Sequence, residues 1–188
     1  IGLCNVPVMA QKHEAPVLGL EPGELIYRFA GLNHFHWHRV WDLDGNDMCP
    51  AIIEKMKTGN IGVPKNIYDI PFDQNMLKKS DLIPCLYHLY YFRQQEMLDH
   101  SVEDFKKNGT RAETVKQTED RLFDLYRDPN LDYKPKELEN RGGAYYSDAA
   151  CEAITSIWGN EDKIMVVSTR NCGAVPDLPE DCVAEVSS

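Results

Sequence analysis

Residues able to do chemistry stand at the very start of this chain. In "GLCNVPVMAQ", Cys4 and Asn5 are neighbours just ahead of a proline, and further on "AGLNHFHWHRV" sets His34, His36 and His38 at alternate positions. Thiolate and imidazole are both metal ligands. Alternate histidines share one face if the segment is a strand. Metal binding is therefore one reading of the two stretches. The other is a small buried thiol and three histidines packed beside Trp37 and Trp41.

Two later stretches add acid–base and anion-binding groups. "RGGAYYSDAA" (141–150) places two glycines before a helix start, with Arg141 on one side and Tyr145 and Tyr146 on the other. Such a helix N-terminus can receive an anion. A phenol ordinarily ionises near pH ~10, so either tyrosine needs a positive charge beside it to act as a base. "STRNCGAVPDLP" (168–179) puts Arg170 and Asn171 in a loop after a strand, a common place for ligand contacts. "TGNIG" at 58–62 is too weak to be a phosphate loop. No G-x-G-x-x-G occurs, so the chain shows no dinucleotide fingerprint.

The elements that must position these groups follow from periodicity. A helix is expected from Val6 to Leu18 with a break at Pro16, a strand at 24–31, and a segment at 35–47 that alternates and then turns at Asp44-Gly45. A helix over 50–57 leads into a loop at 60–72. One long aromatic helix is expected from Pro84 to Lys107. A Thr110–Glu113 capping box then opens a helix with Val115, Leu122 and Tyr126 on one face. After a Pro- and Lys-punctuated connector at 128–140, Ala150, Ile154 and Ile157 mark the inner face of a last helix, and 163–169 and 182–187 read as strands. This is a single α+β unit. Both ends read as interrupted strands, which leads us to expect a fragment of something larger.

Composition narrows the class. With a net charge of -10 the chain does not suit a nucleic-acid surface, which needs clustered Lys and Arg. No apolar run is long enough to span a bilayer, and the start lacks the features of a signal peptide. Cysteines at 4, 49, 85, 151, 172 and 182 form no C-x-x-C pair, so reduced thiols are expected.

"CNVP", "GLNH", "RGGAYYSDAA" and "TRNCGAVPDLP", in that order, resemble glycoside hydrolase family 4, and within it the 6-phospho-β-glucosidase branch. The likeness extends through "PCLYHLYYF", "NGTRAETV" and "LFDLYRDPNLDYKP". It implies the α+β C-terminal domain of the lactate dehydrogenase/family 4 type, without the Rossmann domain that binds NAD. It further implies Cys4 and His34 as ligands of a divalent metal, manganese favoured, and Asn5 as a contact to sugar hydroxyls. Tyr146 becomes the base, with Tyr145 the alternative, and Arg170 and Arg141 become contacts to the sugar or its phosphate. His36 and His38 lie outside the family motif and are taken as structural. Thiolate and imidazole by softness suit zinc, yet water and substrate hydroxyls can supply the oxygens that manganese prefers.

This family is an exception to the two-carboxylate scheme of glycosidases. The resemblance implies oxidation at carbon 3 of the sugar by NAD, loss of the carbon 2 proton, departure of the aglycone and addition of water. Substrates would be phosphorylated disaccharides or aryl 6-phospho-β-glucosides, handled in the cytoplasm by a homo-oligomer, with this chain alone inactive. Two other readings remain: a nucleotide-independent metal hydrolase using His34, His36 and His38, and a non-catalytic assembly domain.

Overall fold

The centre of the fold follows from two alternating segments. Leu25–Leu32 (β1) buries Leu25, Tyr27 and Phe29 and exposes the residues between them, and Phe35–Asp42 (β2) buries His36, His38 and Val40. They pair antiparallel from Leu25↔Asp42 to Leu32↔Phe35, so the two buried faces coincide. In this computed structural model the described residues are 1–59, 61–63, 67–141 and 143–188. The 60–72 loop, "TGNIG" and the glycine pair each include residues outside that set (Asn60, Pro64, Lys65, Asn66, Gly142).

The chain begins with α1 (Asn5–Val17), then β1 and β2, α2 (Cys49–Met56), α3 (Gln74–Lys79), β3 (Ile83–Pro84), α4 (Leu89–Phe92) and α5 (Gln94–Asn108). It continues through α6 (Arg111–Leu125), α7 (Leu138–Arg141), α8 (Tyr146–Gly159), β4 (Val166–Arg170) and β5 (Val183–Ser187). The sheet has five strands in the order β3-β2-β1-β5-β4, every pair antiparallel. Ala15 of α1 and Ile52, Ile53 and Met56 of α2 pack with Tyr27, Phe29 and Val40, giving the α+β core that the sequence predicts.

Several expectations hold in detail. Thr110 accepts from the Glu113 backbone N–H at 3.1 Å while Glu113 accepts from that of Thr110 at 2.7 Å, closing the capping box. The first helix passes Pro16 by one residue only. All six cysteines are free. Two expectations fail. Pro84–Lys107 is not one helix: Ile83-Pro84 joins the sheet beside β2, a single turn follows, and Arg93 breaks the path between α4 and α5. Arg93 leaves the helical region at φ -129, ψ 45, and its guanidinium donates to the Pro71 carbonyl at 2.7 Å. The inner face of α8 is also rotated. Ala149 and Ser156, seven apart, are buried, whereas Ile154 and Ile157 are 65% and 70% exposed.

The broken helix buries His88 completely among Phe35, Trp37 and Phe92. Neither of its ring nitrogens has a hydrogen-bond partner among the described residues, and burial pushes its pKa down to about 4. The unfolded imidazole titrates near ~6.5, so between these values the unfolded chain binds the extra proton. His88 therefore leaves stability intact above pH ~6.5 and removes up to roughly 3 kcal/mol as pH falls toward ~4. Chemical unfolding across that range should show a flatter acid limb for His88→Leu than for wild type. Parallel limbs would mean that His88 is not the titrating group.

Between β1 and β2 the turn consists of Asn33 and His34 alone, with His34 at φ 61. Gly31 precedes it at φ 147, and a Cβ there would come within 2.5 Å of the Phe35 carbonyl oxygen. Gly31→Ala should destabilise by on the order of 2 kcal/mol, since it meets both strain and overlap. An unchanged melting midpoint would contradict this account of the turn.

Candidate functional site

Three elements bring the site together. Cys4 is the N-cap residue of α1 and Asn5 its first helical residue, so both sit at the end of the helix where backbone N–H groups point outward. The β1–β2 turn delivers His34. The start of α8 delivers Tyr146 after the left-handed Tyr145 at φ 67. Asn5 ties the first element to the third, its side-chain amide donating to the Ala144 carbonyl at 3.0 Å.

These residues meet at a cleft of about 280 Å³ whose lining includes Asn5, His34, Tyr87, Arg111, Arg141 and Tyr146. Cys4, itself 5% exposed, lies behind it in a small cluster with Val6 and Cys85, and Tyr87 packs on that cluster. The Tyr87 ring also stacks on His34 with 4.3 Å between centroids. A wider cleft of about 670 Å³ adjoins, sharing Asn5, Arg111 and Gly143 and carrying Tyr145. Lys12 stands 5.0 Å over the Tyr145 ring.

Beside His34 and the two arginines, the site carries groups that ionise to anions. Burial pushes the Cys4 thiol up, and the nearby Glu185 carboxylate adds to this. Partial burial raises Tyr146 too, with Cys4 contributing next, while the Asn5 backbone N–H opposes the rise. Each negative charge makes the next one more costly, so the donor set is one that a cation would relieve. Cys4 and His34 offer two donors. A divalent ion held there would complete its shell from water and sugar oxygens, which suits manganese.

The positions foreseen from sequence divide as follows. Cys4, Asn5, His34, Tyr146 and Arg141 converge. Arg141 is already paired with Glu119 at 2.6 Å. Arg170 is exposed at the end of β4, the edge strand, and lies outside the cleft lining. His34 does not share the strand face of His36 and His38, because it is in the turn. His36 is bonded to Glu185 at 2.5 Å and His38 to Glu14 at 3.0 Å. Among the described residues no group of three His, Cys, Asp or Glu could hold a metal, which removes support from a three-histidine hydrolase. Sequence reading missed Tyr87, Arg111 and Glu185. The "PCLYHLYYF" aromatics read as part of one long helix, and Arg111 read as part of a capping box.

Residues 29–188 match the family 4 glycosyl hydrolase C-terminal domain. The whole chain is 44% identical to the probable 6-phospho-beta-glucosidase of Bacillus subtilis strain 168 and 37% identical to the 6-phospho-beta-glucosidase of Escherichia coli K12. It spans 42% of the length of each. The 6-phospho-beta glucosidase from Thermotoga maritima, solved with manganese, NAD+ and glucose-6-phosphate, superposes with a TM-score of 0.78 at 30% identity. That match covers 99% of this chain and 42% of the other. The ordered motifs, the antiparallel sheet and these likenesses agree, and the chain belongs to glycoside hydrolase family 4.

Proposed function

We propose that the protein carrying this chain hydrolyses 6-phospho-β-glucosides, with NAD and a divalent metal, manganese first, as cofactors. The observation that carries this reading is the convergence of Asn5, His34 and two phenols on one cleft, with Cys4 buried behind it. It is supported by the names of the relatives and by the NAD, manganese and glucose-6-phosphate of the Thermotoga maritima structure. The nucleotide-binding part is expected in the remainder of a longer protein. A phosphorylated sugar as substrate implies work in the cytoplasm, and a homo-oligomer is expected.

When bound, NAD supplies reversible oxidation at carbon 3 and the metal supplies Lewis acidity beside it. Cys4 and His34 hold the metal in this reading. Asn5, fixed at the α1 start, reaches the sugar hydroxyls. A phenolate then removes the carbon 2 proton, the aglycone leaves from carbon 1 and water adds. Two phenols face the work. Tyr146 fits the motif read from sequence, but Tyr87 is in contact with both the Cys4 cluster and the His34 ring, so Tyr87 has the stronger geometric claim. Arg111 lines both clefts and, among the described residues, donates to the Asn140 carbonyl at 3.3 Å without an ion pair, and it takes the anionic end of the substrate better than the paired Arg141 does.

Aglycone release from an aryl 6-phospho-β-glucoside tests the reading in the full-length protein. Activity should vanish without NAD+ or after chelation, and return when NAD+ or manganese is restored. Nucleotide-independent activity would overturn it. Tyr87→Phe should cut turnover by about 10²-fold or more, and Tyr146→Phe by less. The reverse order would return the base to Tyr146. Arg111→Ala should lower kcat/KM by at least about tenfold if it meets the substrate anion.

A further inference from the structure

Glu185 is a carboxylate only 1% exposed, in the middle of β5 and in register with Gly31 of β1. Both of its oxygens are engaged. Oε1 accepts from the Asn33 side-chain amide at 3.0 Å, and Oε2 lies 2.5 Å from His36 Nδ1. A carboxylate only accepts, so a neutral His36 must carry its proton on Nδ1. The same carboxylate is near enough to Cys4 to help raise its pKa, after burial, which is the larger cause. One buried group thus holds the residue before His34 and the residue two beyond it, with the Cys4 thiol under its charge.

Burying such a charge is costly, and a well-packed apolar pair often serves a core as well. A second pair shows what a core role alone looks like. Glu14 holds His38 at 3.0 and 3.1 Å, buried to a similar degree, with no bond from Glu14 to Cys4 or to the turn. The two pairs are alike in chemistry and differ in what else they hold.

We propose that Glu185 is a positioning residue for the metal site, fixing the Asn33–His34 turn that presents the imidazole beside Cys4. The proposal rests on the reading of Cys4 and His34 as ligands. Outer partners of this kind commonly set affinity by 10–100-fold, because they decide where the donors point before the ion arrives. Glu185 fixes His34 through Asn33 on one side and His36 on the other, beside the Cys4 thiol.

The test is Mn2+ binding to the intact protein without substrate, read from the free-ion paramagnetic resonance signal, alongside melting midpoint and NAD+ binding. Glu185→Gln should weaken Mn2+ binding by about 10–100-fold while NAD+ binding is kept. Glu14→Gln should stay within about twofold of wild type, even if both variants melt earlier. Asn33→Ala, at an exposed position, removes one link without touching the core and should weaken Mn2+ by about tenfold. It decides the matter if Glu185→Gln does not fold. Wild-type Mn2+ affinity in Glu185→Gln, or equal losses in the two glutamate variants, would overturn the proposal. Cys4→Ser separates the two ideas, because undiminished Mn2+ binding there would remove the ligand assignment itself.

Discussion

A turn of only two residues, with His34 held in the left-handed region, is the constraint around which the site is arranged. A non-glycine residue at positive φ costs on the order of 1 kcal/mol and persists only where its surroundings fix it. Here they do so from several sides. Gly31 lets the strand approach the Phe35 carbonyl, Tyr87 stacks on the imidazole, and Asn33 is tied to a buried carboxylate. The turn places an imidazole where a regular strand would have sent it into the core with His36 and His38.

The second constraint is electrostatic. Cys4 closes the start of α1, where backbone N–H groups favour a negative charge, yet burial raises its pKa. Tyr146 is raised for the same first reason. A site whose thiol, and a phenol beside it, are both costly to ionise is well matched to the proposed chemistry, which begins when a cation arrives. Ligation, proton removal and substrate binding are then linked through one charge, and this is the physical content of the proposed mechanism.

How much of this was legible in the sequence depends on the range of the interaction. The β1–β2 hairpin, the Thr110 capping box and the short run past Pro16 are local, set by alternation, a hydroxyl and a carboxylate three apart, or a missing N–H. Cys4, Asn5 and His34 were legible as an ordered set of motifs, since no single one of them has distinctive spacing. What could not be read was nonlocal. Tyr87 is aromatic in an aromatic run, and its proposed role rests on Ile83-Pro84 joining the sheet, which turns the run toward α1. Glu185 looks like one acid in a strand until β5 pairs with β1 and brings it within reach of Asn33. The rotated face of α8 is similar, because its register depends on the Tyr145 and Asn160 turns at its two ends.

The proposal that proton removal precedes departure of the aglycone is the central claim, and solvent isotope exchange tests it most directly. Hydrolysis of an aryl 6-phospho-β-glucoside by the full-length protein in D2O would be followed by NMR of the glucose 6-phosphate released. The account predicts solvent deuterium at carbon 2, because the proton lost there is replaced from the medium. Product with only protium at carbon 2 would contradict it and leave direct hydrolysis at carbon 1.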